Sequence, residues 1–543
     1  MSSVEVTILN NGTEMNPEYN IFSIDIVKEV NKIPTAELSL LDGEAAKQEF
    51  KISNADFFAP GQEIEIKLRY QGEIKEQATV FKGLIVKHGV KDNRQFSLLN
   101  LYLKDPAIKL TTQRKSVVYR NLTDKEIIKQ IIEAKDLTVG AIAPTQPKHK
   151  EMVQFYCTDW DFILSRADVN GYWVMVDDGQ ISVKLPQIED NPQHTFEYGI
   201  SDIYEFEIEA DIRHQYQVIQ SSAWDIRTQK LSTPRTANEF SLAQGNSNMR
   251  QLAEAIGAEE YQLIHGGQLE QDEIQAWADA KNIKSRLSLF RGRIEIPGLA
   301  DIKPGDVIEV AGINKRFNGK TIVTAIRHQI NSSGWVTYVQ FGLSADWFSQ
   351  SSEIIDTPAA GLVPAINGLQ IGIVDNYEQD PQKQFRVKVK IPTLDAGKST
   401  VWARLASLDA GNERGIFFRP EKGDEVILGF INDDPRQAII LGSLHSSKNP
   451  PPLSVTEEND EKGIVTKENI KFLFDDRDKL VKIETPKGNS IVMNDKDGLI
   501  EIVDKNNNKI AMNSEGVQIS SNKDMEIEAK GNITIKGKKV DVN

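Results

Sequence analysis

Seven histidines and a single cysteine are the residues best suited to bind a metal or act as nucleophiles in this 543-residue chain. The histidines are His88, His149, His194, His214, His265, His328 and His445. No two stand at metal-ligand spacing, and no His-Glu-X-X-His run occurs. A Gly-X-Ser-X-Gly nucleophile elbow is absent, as is a phosphate-cradling glycine loop ending in lysine. Cys157 lies in the apolar stretch Val153-Gln154-Phe155-Tyr156-Cys157 and reads as a small buried hydrophobe. One cysteine allows neither an intramolecular disulfide nor a cysteine zinc site. Carboxylate pairs such as Asp475-Asp476 read as acidic surface turns. A glycosidase pair needs only two carboxylates roughly 5–10 Å apart, which linear spacing does not exclude. The expectation is therefore a non-enzyme, with no catalytic, cofactor-binding or metal-binding residues.

The elements that must position these residues are mostly strands. Ile64-Glu65-Ile66-Lys67-Leu68-Arg69-Tyr70 and Val387-Lys388-Val389-Lys390-Ile391 alternate apolar and polar, the two-residue period of a half-buried strand. Two helices are predicted. One follows Thr123, which has capping-box spacing to Glu126, with Leu122 as a staple and Ile127, Ile128, Ile131 and Ile132 as its stripe. The other spans Glu273 to Leu287. A length of 543 residues implies about three to five domains. The net charge of -15 repels phosphate backbones, so nucleic acid is not an expected partner. Met1-Ser2-Ser3-Val4-Glu5-Val6 has neither a basic nor an apolar leader region, and no run of 18 apolar residues exists. Synthesis in the cytoplasm without a signal peptide follows as the expectation.

An internal repeat organises the first part. Pro60-Gly61-Gln62-Glu63-Ile64 precedes Phe81-Lys82-Gly83 and a strand ending at His88. Pro304-Gly305-Asp306-Val307-Ile308 precedes Phe317-Asn318-Gly319 and a strand ending at His328. Two related barrels are predicted, with His88 and His328 as equivalent strand positions. From Ala365 to Leu444, strand lengths and turns fit a five-stranded barrel such as an OB-fold. Asn449-Pro450-Pro451-Pro452 and the acidic stretch after it read as a stiff spacer.

The C-terminal stretch repeats pairs of apolar residues. Val517/Ile519, Met525/Ile527 and Ile533/Ile535 are offset by eight residues, and Val540/Val542 follow one residue early. Upstream pairs are Val481/Ile483, Ile491/Met493, Ile500/Ile502 and Ile510/Met512. Short strands with two inward side chains each cannot bury them alone. Three chains wound about one axis solve this, whereas a single-chain solenoid would need longer turns. The expected needle core is Val517, Ile519, Met525, Ile527, Ile533, Ile535, Val540 and Val542.

Several segments resemble the VgrG family of type VI secretion, and more closely the spike subunits of extracellular phage-tail-like particles. They are Gln154 to Arg166 with Gly171, Leu110 to Leu122 with Arg114 and Tyr119, and Phe418-Arg419-Pro420-Glu421-Lys422-Gly423-Asp424-Glu425-Val426 with Asp434-Pro435 and Gly442-Ser443-Leu444. The resemblance implies a mainly β fold: two hub β-barrels with helical insertions, an OB-fold barrel, and an intertwined triple-stranded β-helix needle in a homotrimer. The expected boundaries are 1–115 hub barrel 1, 116–200 α/β hub insertion, 201–356 hub barrel 2, 357–448 OB-fold, 449–478 linker and 479–543 needle. It also implies a spike and tube–baseplate adaptor of a contractile injection machine, delivered outside the cell on contraction. The implied partners are a hexameric inner tube protein, baseplate proteins, a PAAR-type tip protein near Val540, Asp541, Val542 and Asn543, and effector cargo on separate chains. No lysozyme or toxin domain is expected, and no iron site, since no histidine follows His445. The alternatives are a baseplate adhesin for a host receptor or glycan, and a spike with glycan hydrolase activity.

Overall fold

A computed structural model describes all residues except 1–3, 73–75, 94, 190, 352–353, 355 and 543. Met1, Ser2 and Ser3 of the leader reading, and Asn543 of the expected tip contact, lie outside the described residues. The chain divides into two compact units, Met1–Asp356 and Thr357–Asn543.

The first unit is built on one fourteen-stranded sheet. Its first module contains β1 (Val4–Asn10), β2 (Ile21–Glu29), β3 (Thr35–Leu41), β4 (Glu63–Tyr70), β5 (Ala78–Asp92) and β6 (Ser97–Lys104). The second contains β7 (His194–Glu197), β8 (Glu205–Ala210), β9 (Phe290–Pro297), β10 (Val307–Ala311), β11 (Gly319–Asn331) and β12 (Gly334–Phe341). Strand order in the first is β2-β3-β6-β5-β4-β1, and in the second β8-β9-β12-β11-β10-β7. The path is the same; only the last pair differs, antiparallel for β4·β1 and parallel for β10·β7. Alternation in each strand sends one face inward. Ile24, Ile26, Leu38, Ile64, Ile66, Phe81 and Leu101 fill the first core, and Ile294, Ile308, Val310, Val323, Val339 and Phe341 the second.

The repeat is real, but its register corrects the expected matches. Ala59-Pro60-Gly61-Gln62 and Lys303-Pro304-Gly305-Asp306 form the same turn, closed by Gln62 N donating to Ala59 O (3.1 Å) and Asp306 N donating to Lys303 O (3.2 Å). Pro pre-sets the second position, while Gly61 and Gly305 supply φ of 88° and 97°, which a side chain would disfavour. Each glycine N–H then bonds the next module strand, Gly61 to Ile85 O (2.9 Å) and Gly305 to Val323 O (2.8 Å). A bulge follows at once in both copies, between Ile85 and Lys87 and between Val323 and Ala325. Ile85 therefore corresponds to Val323. Counting from there, Phe81 falls on Gly319 and His88 on Ile326, so neither the Phe-X-Gly pair nor the two histidines are equivalent. His88 shares hydrogen bonds with Ser53 Oγ (2.8 Å) and Phe58 O (2.9 Å). His328 bonds Thr337 Oγ1 (2.9 Å) and is 1% exposed.

The two modules are fused by β11 pairing with β2, and Ile330 and Trp335 of the second module complete the core of the first. The helices between and within them include α1 (Asp124–Glu133), α2 (Asp159–Val169) and α3 (Gln271–Leu287). The expected capping box is present: Glu126 N donates to Thr123 Oγ1, and Thr123 N donates to Glu126 Oε2. The buried Asp124 at the start of α1 takes Nε and Nη2 of Arg166 from α2 at 2.7 and 2.9 Å. His149 Nε2 stands 3.3 Å from Asp124, and Glu273 of α3 lies 3.5 Å from Arg166. Burial alone would raise the Asp124 carboxyl; His149 and Arg166 override it and hold it well below the usual carboxylate range. This cluster fastens the insertion to the helix of the second module.

In the second unit, β13 (Gln370–Asn376), β14 (Val387–Lys390), β15 (Thr400–Leu405), β16 (Glu425–Phe430) and β17 (Ala438–Ser443) close into a five-stranded barrel. Val374, Val387, Val389, Ala403, Val426, Leu428 and Ile440 fill it. A seven-stranded ladder follows.

Two outcomes test this architecture. Arg166→Met leaves Asp124 buried without its bidentate partner, so denaturation of the first unit should lose about 3–5 kcal/mol, most of it regained in Arg166→Met/Asp124→Leu. The second concerns His328, whose imidazole burial, with Lys28 nearby, holds down at about 3. With a folded value below the unfolded one near 6.5, its contribution is present above pH 6.5 and lost as pH falls toward 3. His328→Asn, which keeps an acceptor toward Thr337, should remove about 2 kcal/mol of the stability lost between pH 7 and 5, measured by denaturant midpoints.

Candidate functional site

The ladder consists of β18 (Glu461–Val465), β19 (Lys471–Asp475), β20 (Leu480–Glu484), β21 (Ser490–Asn494), β22 (Leu499–Val503), β23 (Lys509–Asn513) and β24 (Gly516–Ser520). Each strand pairs antiparallel with the next through a short turn. Turn residues make this possible: Gly488 (φ 89°) and Asn507 (φ 65°) occupy left-handed positions that most side chains resist.

The register aligns the apolar pairs into two rows on one face. Ile464, Phe472, Ile483, Ile491, Ile502, Ile510 and Ile519 stand directly across from one another along the ladder. Phe474, Val481, Met493, Ile500, Met512 and Val517 form the second row. The other face mixes Lys482, Glu501, Lys509 and Gln518 with the smaller or less exposed apolar residues Leu473, Val492 and Ala511, and Lys509 pairs with Glu501. The apolar face is left half-open: Ile491 is 42% and Ile502 41% exposed. An apolar strip this continuous on a water-facing surface marks a contact surface.

Val517 and Ile519 of the expected core lie on β24, at 68% and 61% exposure, and Met525 lines the same groove as Ile483, Ile502 and Ile519. Ile527, Ile533, Ile535, Val540 and Val542 are exposed and follow the last strand without a strand of their own. Asp541 pairs with Lys539 at 3.0 Å. Two points correct the sequence reading. The expected spacer 449–478 contains β18 and β19, so Ile464, Phe472 and Phe474 belong to the face; Phe472-X-Phe474 carries the same alternation as the aliphatic pairs and could have revealed it. Over Glu461–Ser520, moreover, each interior strand pairs with both of its sequence neighbours in the same chain.

The chemistry-bearing residues are engaged elsewhere. Asp475 Oδ1 accepts from the Arg477 and Asp478 N–H groups, both at 3.0 Å, and Asp476 pairs with Lys462. Cys157 is half-buried, and burial pushes its thiol up, away from the reactive range. Among the described residues no three His, Cys, Asp or Glu side chains converge to hold a metal ion. What the ladder can do is bind apolar surface of matching periodicity.

Three families match the chain: the Alg8 N-terminal domain over residues 1–332, the type VI secretion system/phage-baseplate injector OB domain over 370–445, and the phage baseplate V C-terminal trimerisation domain over 480–543. The actin cross-linking toxin VgrG1 of Vibrio cholerae serotype O1 is 32% identical over 101 residues, 17% of this chain and 9% of that protein. The type VI secretion system spike protein VgrG3 of Vibrio cholerae is 33% identical over 107 residues, 19% of this chain and 10% of that protein. The matched stretches thus span about a tenth of these relatives' length. Among solved structures, the tail protein from Neisseria meningitidis MC58 aligns with 64% of this chain and 98% of its own at 14% identity and a TM-score of 0.46. The Alg8 N-terminal domain model covers residues 1–332, more than half of the chain, so the chain belongs to that family, and it carries in addition a type VI secretion system/phage-baseplate injector OB domain and a phage baseplate V C-terminal trimerisation domain.

Proposed function

We propose that three copies of this chain form the central spike of a contractile injection machine and join its baseplate to its tube. The observation that carries this reading is the pair of unbroken apolar rows on the ladder, in a stretch matched by a trimerisation family. Three ladders turned face inward make a triangular prism whose seam holds both rows from each chain. Burying the exposed part of each large side chain returns about 1 kcal/mol at roughly 25 cal/mol per Å². A dozen such residues per chain therefore outweigh the several kcal/mol lost on association.

Beyond Ser520 no described residue lies in a strand, yet the apolar pairs continue at eight-residue spacing to Ile533/Ile535, with Val540/Val542 one residue early. In the trimer, Met525, Ile527, Ile533, Ile535, Val540 and Val542 extend the seam, and neighbouring chains supply the edge pairing. A PAAR-type tip protein would seat near Val540, Asp541, Val542 and Asn543. The hub supplies two similar modules per chain, hence six in the trimer, a number that suits a hexameric inner tube protein. Baseplate proteins surround the hub, and effector cargo travels on separate chains. On contraction the prism carries axial load, and the closed seam resists splaying as it pierces the target envelope.

Inward charge tests the seam. Ile502→Asp and Ile527→Asp each force three carboxylates together in a dry channel, at a cost of several kcal/mol. Each should weaken trimer formation at least tenfold in analytical ultracentrifugation and open the C-terminal stretch to protease. Gln518→Asp, on the opposite face, should change neither. Trimers of undiminished strength from both inward variants would refute the seam.

A further inference from the structure

The hub insertion carries a two-stranded ribbon whose outer face nothing described so far uses. Arg114–Leu122 and His149–Thr158 pair antiparallel, and no third strand joins them among the described residues. The inner face is anchored. Tyr119, Met152 and Cys157 pack on the core of the insertion, and the Tyr119 ring stacks on Phe162 of α2 at 5.8 Å. The Tyr119 hydroxyl donates to Gln154 Oε1 at 2.9 Å, and the buried Gln154 donates to Asp159 Oδ1 at 3.1 Å. The outer face is apolar and open to water. Val118 and Val153 stand directly across from each other at 47% and 48% exposure, and Phe155 is 78% exposed.

A bulge aims the aromatic side chains outward. Val117 faces Gln154 and Lys115 faces Cys157, so Phe155 and Tyr156 stand opposite Ser116 alone. Tyr156 takes a φ of 41°, a conformation that an aromatic residue rarely adopts. Side chains hold its backbone there from both sides. Tyr156 N donates to Ser116 Oγ at 3.1 Å, and Arg114 Nη1 donates to Tyr156 O at 3.1 Å. The Arg114 guanidinium lies 5.9 Å from the Tyr156 ring. The fold thus sustains backbone strain to display two aromatic rings in water, the combination expected of a contact surface.

The surroundings are basic. Arg114, Lys115, Arg120, Lys148 and Lys150 stand on or beside the ribbon against one carboxylate, Glu151, in a chain of net charge -15. Lys115 is taken by Asp159 at 2.8 Å, while Arg120 reaches Glu151 only at 3.7 Å. The register puts Arg114 at one end of the apolar centre and Arg120, Lys148 and Lys150 at the other, about 20 Å apart along a strand. We propose that this face docks an extended acidic segment of another protein. Its apolar side chains lie on Val118, Val153, Phe155 and Tyr156, and carboxylates at its two ends meet Arg114 and Arg120. Aromatic and arginine side chains in an apolar patch are the groups on which such contacts depend. A membrane surface or a nucleic acid asks for cations throughout, whereas two valines occupy the middle here. One copy of the chain suffices for this contact, so it stands apart from the seam.

Fluorescence anisotropy of the full-length protein with the labelled peptide Glu-Glu-Leu-Phe-Val-Glu-Glu tests this. Binding should be seen, should weaken as salt rises, and should be roughly tenfold weaker for Lys-Lys-Leu-Phe-Val-Lys-Lys. Phe155→Ser and Arg120→Glu, both at exposed positions, should each weaken the acidic peptide about tenfold. Ile200→Ser, as exposed as Phe155 but between β7 and β8, should leave it unchanged. No binding, equal binding of the two peptides, or indifference to Phe155→Ser overturns the proposal. Two further results overturn it by naming another occupant. Phe155-dependent binding to phosphatidylserine vesicles in place of the peptide makes the face a membrane contact. A lower native mass in Phe155→Ser makes it a contact between copies.

Discussion

A strand of five residues that offers two large apolar side chains to one face cannot bury them by itself, and stacking seven such strands only lengthens the exposed stripe. That constraint governs the C-terminal part of this protein. Pairing of consecutive strands satisfies the backbone and fixes the register, and the register is what brings Ile483, Ile491, Ile502, Ile510 and Ile519 into one line. Hydrogen bonding is thus finished within the chain while hydrophobic burial is not. The division suits a part that must fold locally and then assemble, because only the second step needs other copies.

The hub solves a different problem with duplicated material. Two modules of the same strand path share one sheet because half of β11, still paired with β12 on one edge, pairs with β2 on the other. Their helical insertions are held by charge: the Asp124 carboxylate, deep in the protein, is affordable only because Arg166 grips it with two hydrogen bonds and His149 stands beside it. Removing water from such a cluster raises the cost of misplacing any member, which gives α1, α2 and α3 one arrangement.

Much of this was legible in the sequence, for physical reasons that differ by element. The two-residue alternation announced the ladder pairs, and the Thr123–Glu126 spacing announced the cap of α1, since both signals are local. The Pro-Gly turns announced the duplication because φ near 90° at Gly61 and Gly305 demands that residue type. Local similarity misled where register is set at a distance: Phe81-Lys82-Gly83 and Phe317-Asn318-Gly319 look alike, yet hydrogen bonds from the turns slide them two residues apart. The strands at 461–475 hid behind prolines and acidic residues, which dominate composition but do not forbid pairing nearby. α2 was not read as a helix, although Thr158 and Asp161 carry its cap: Asp161 N donates to Thr158 Oγ1 at 3.1 Å. The junction of β11 with β2 joins residues some 300 apart and leaves no local mark.

The central claim is that the open face of the ladder is closed by two further copies. Light scattering of the purified full-length chain, coupled to size exclusion at micromolar concentration, tests it most directly. The account predicts a single species near three times 60.9 kDa. A folded, monodisperse monomer with the ladder intact would contradict it, because the apolar rows would then stand open to water with nothing to cover them.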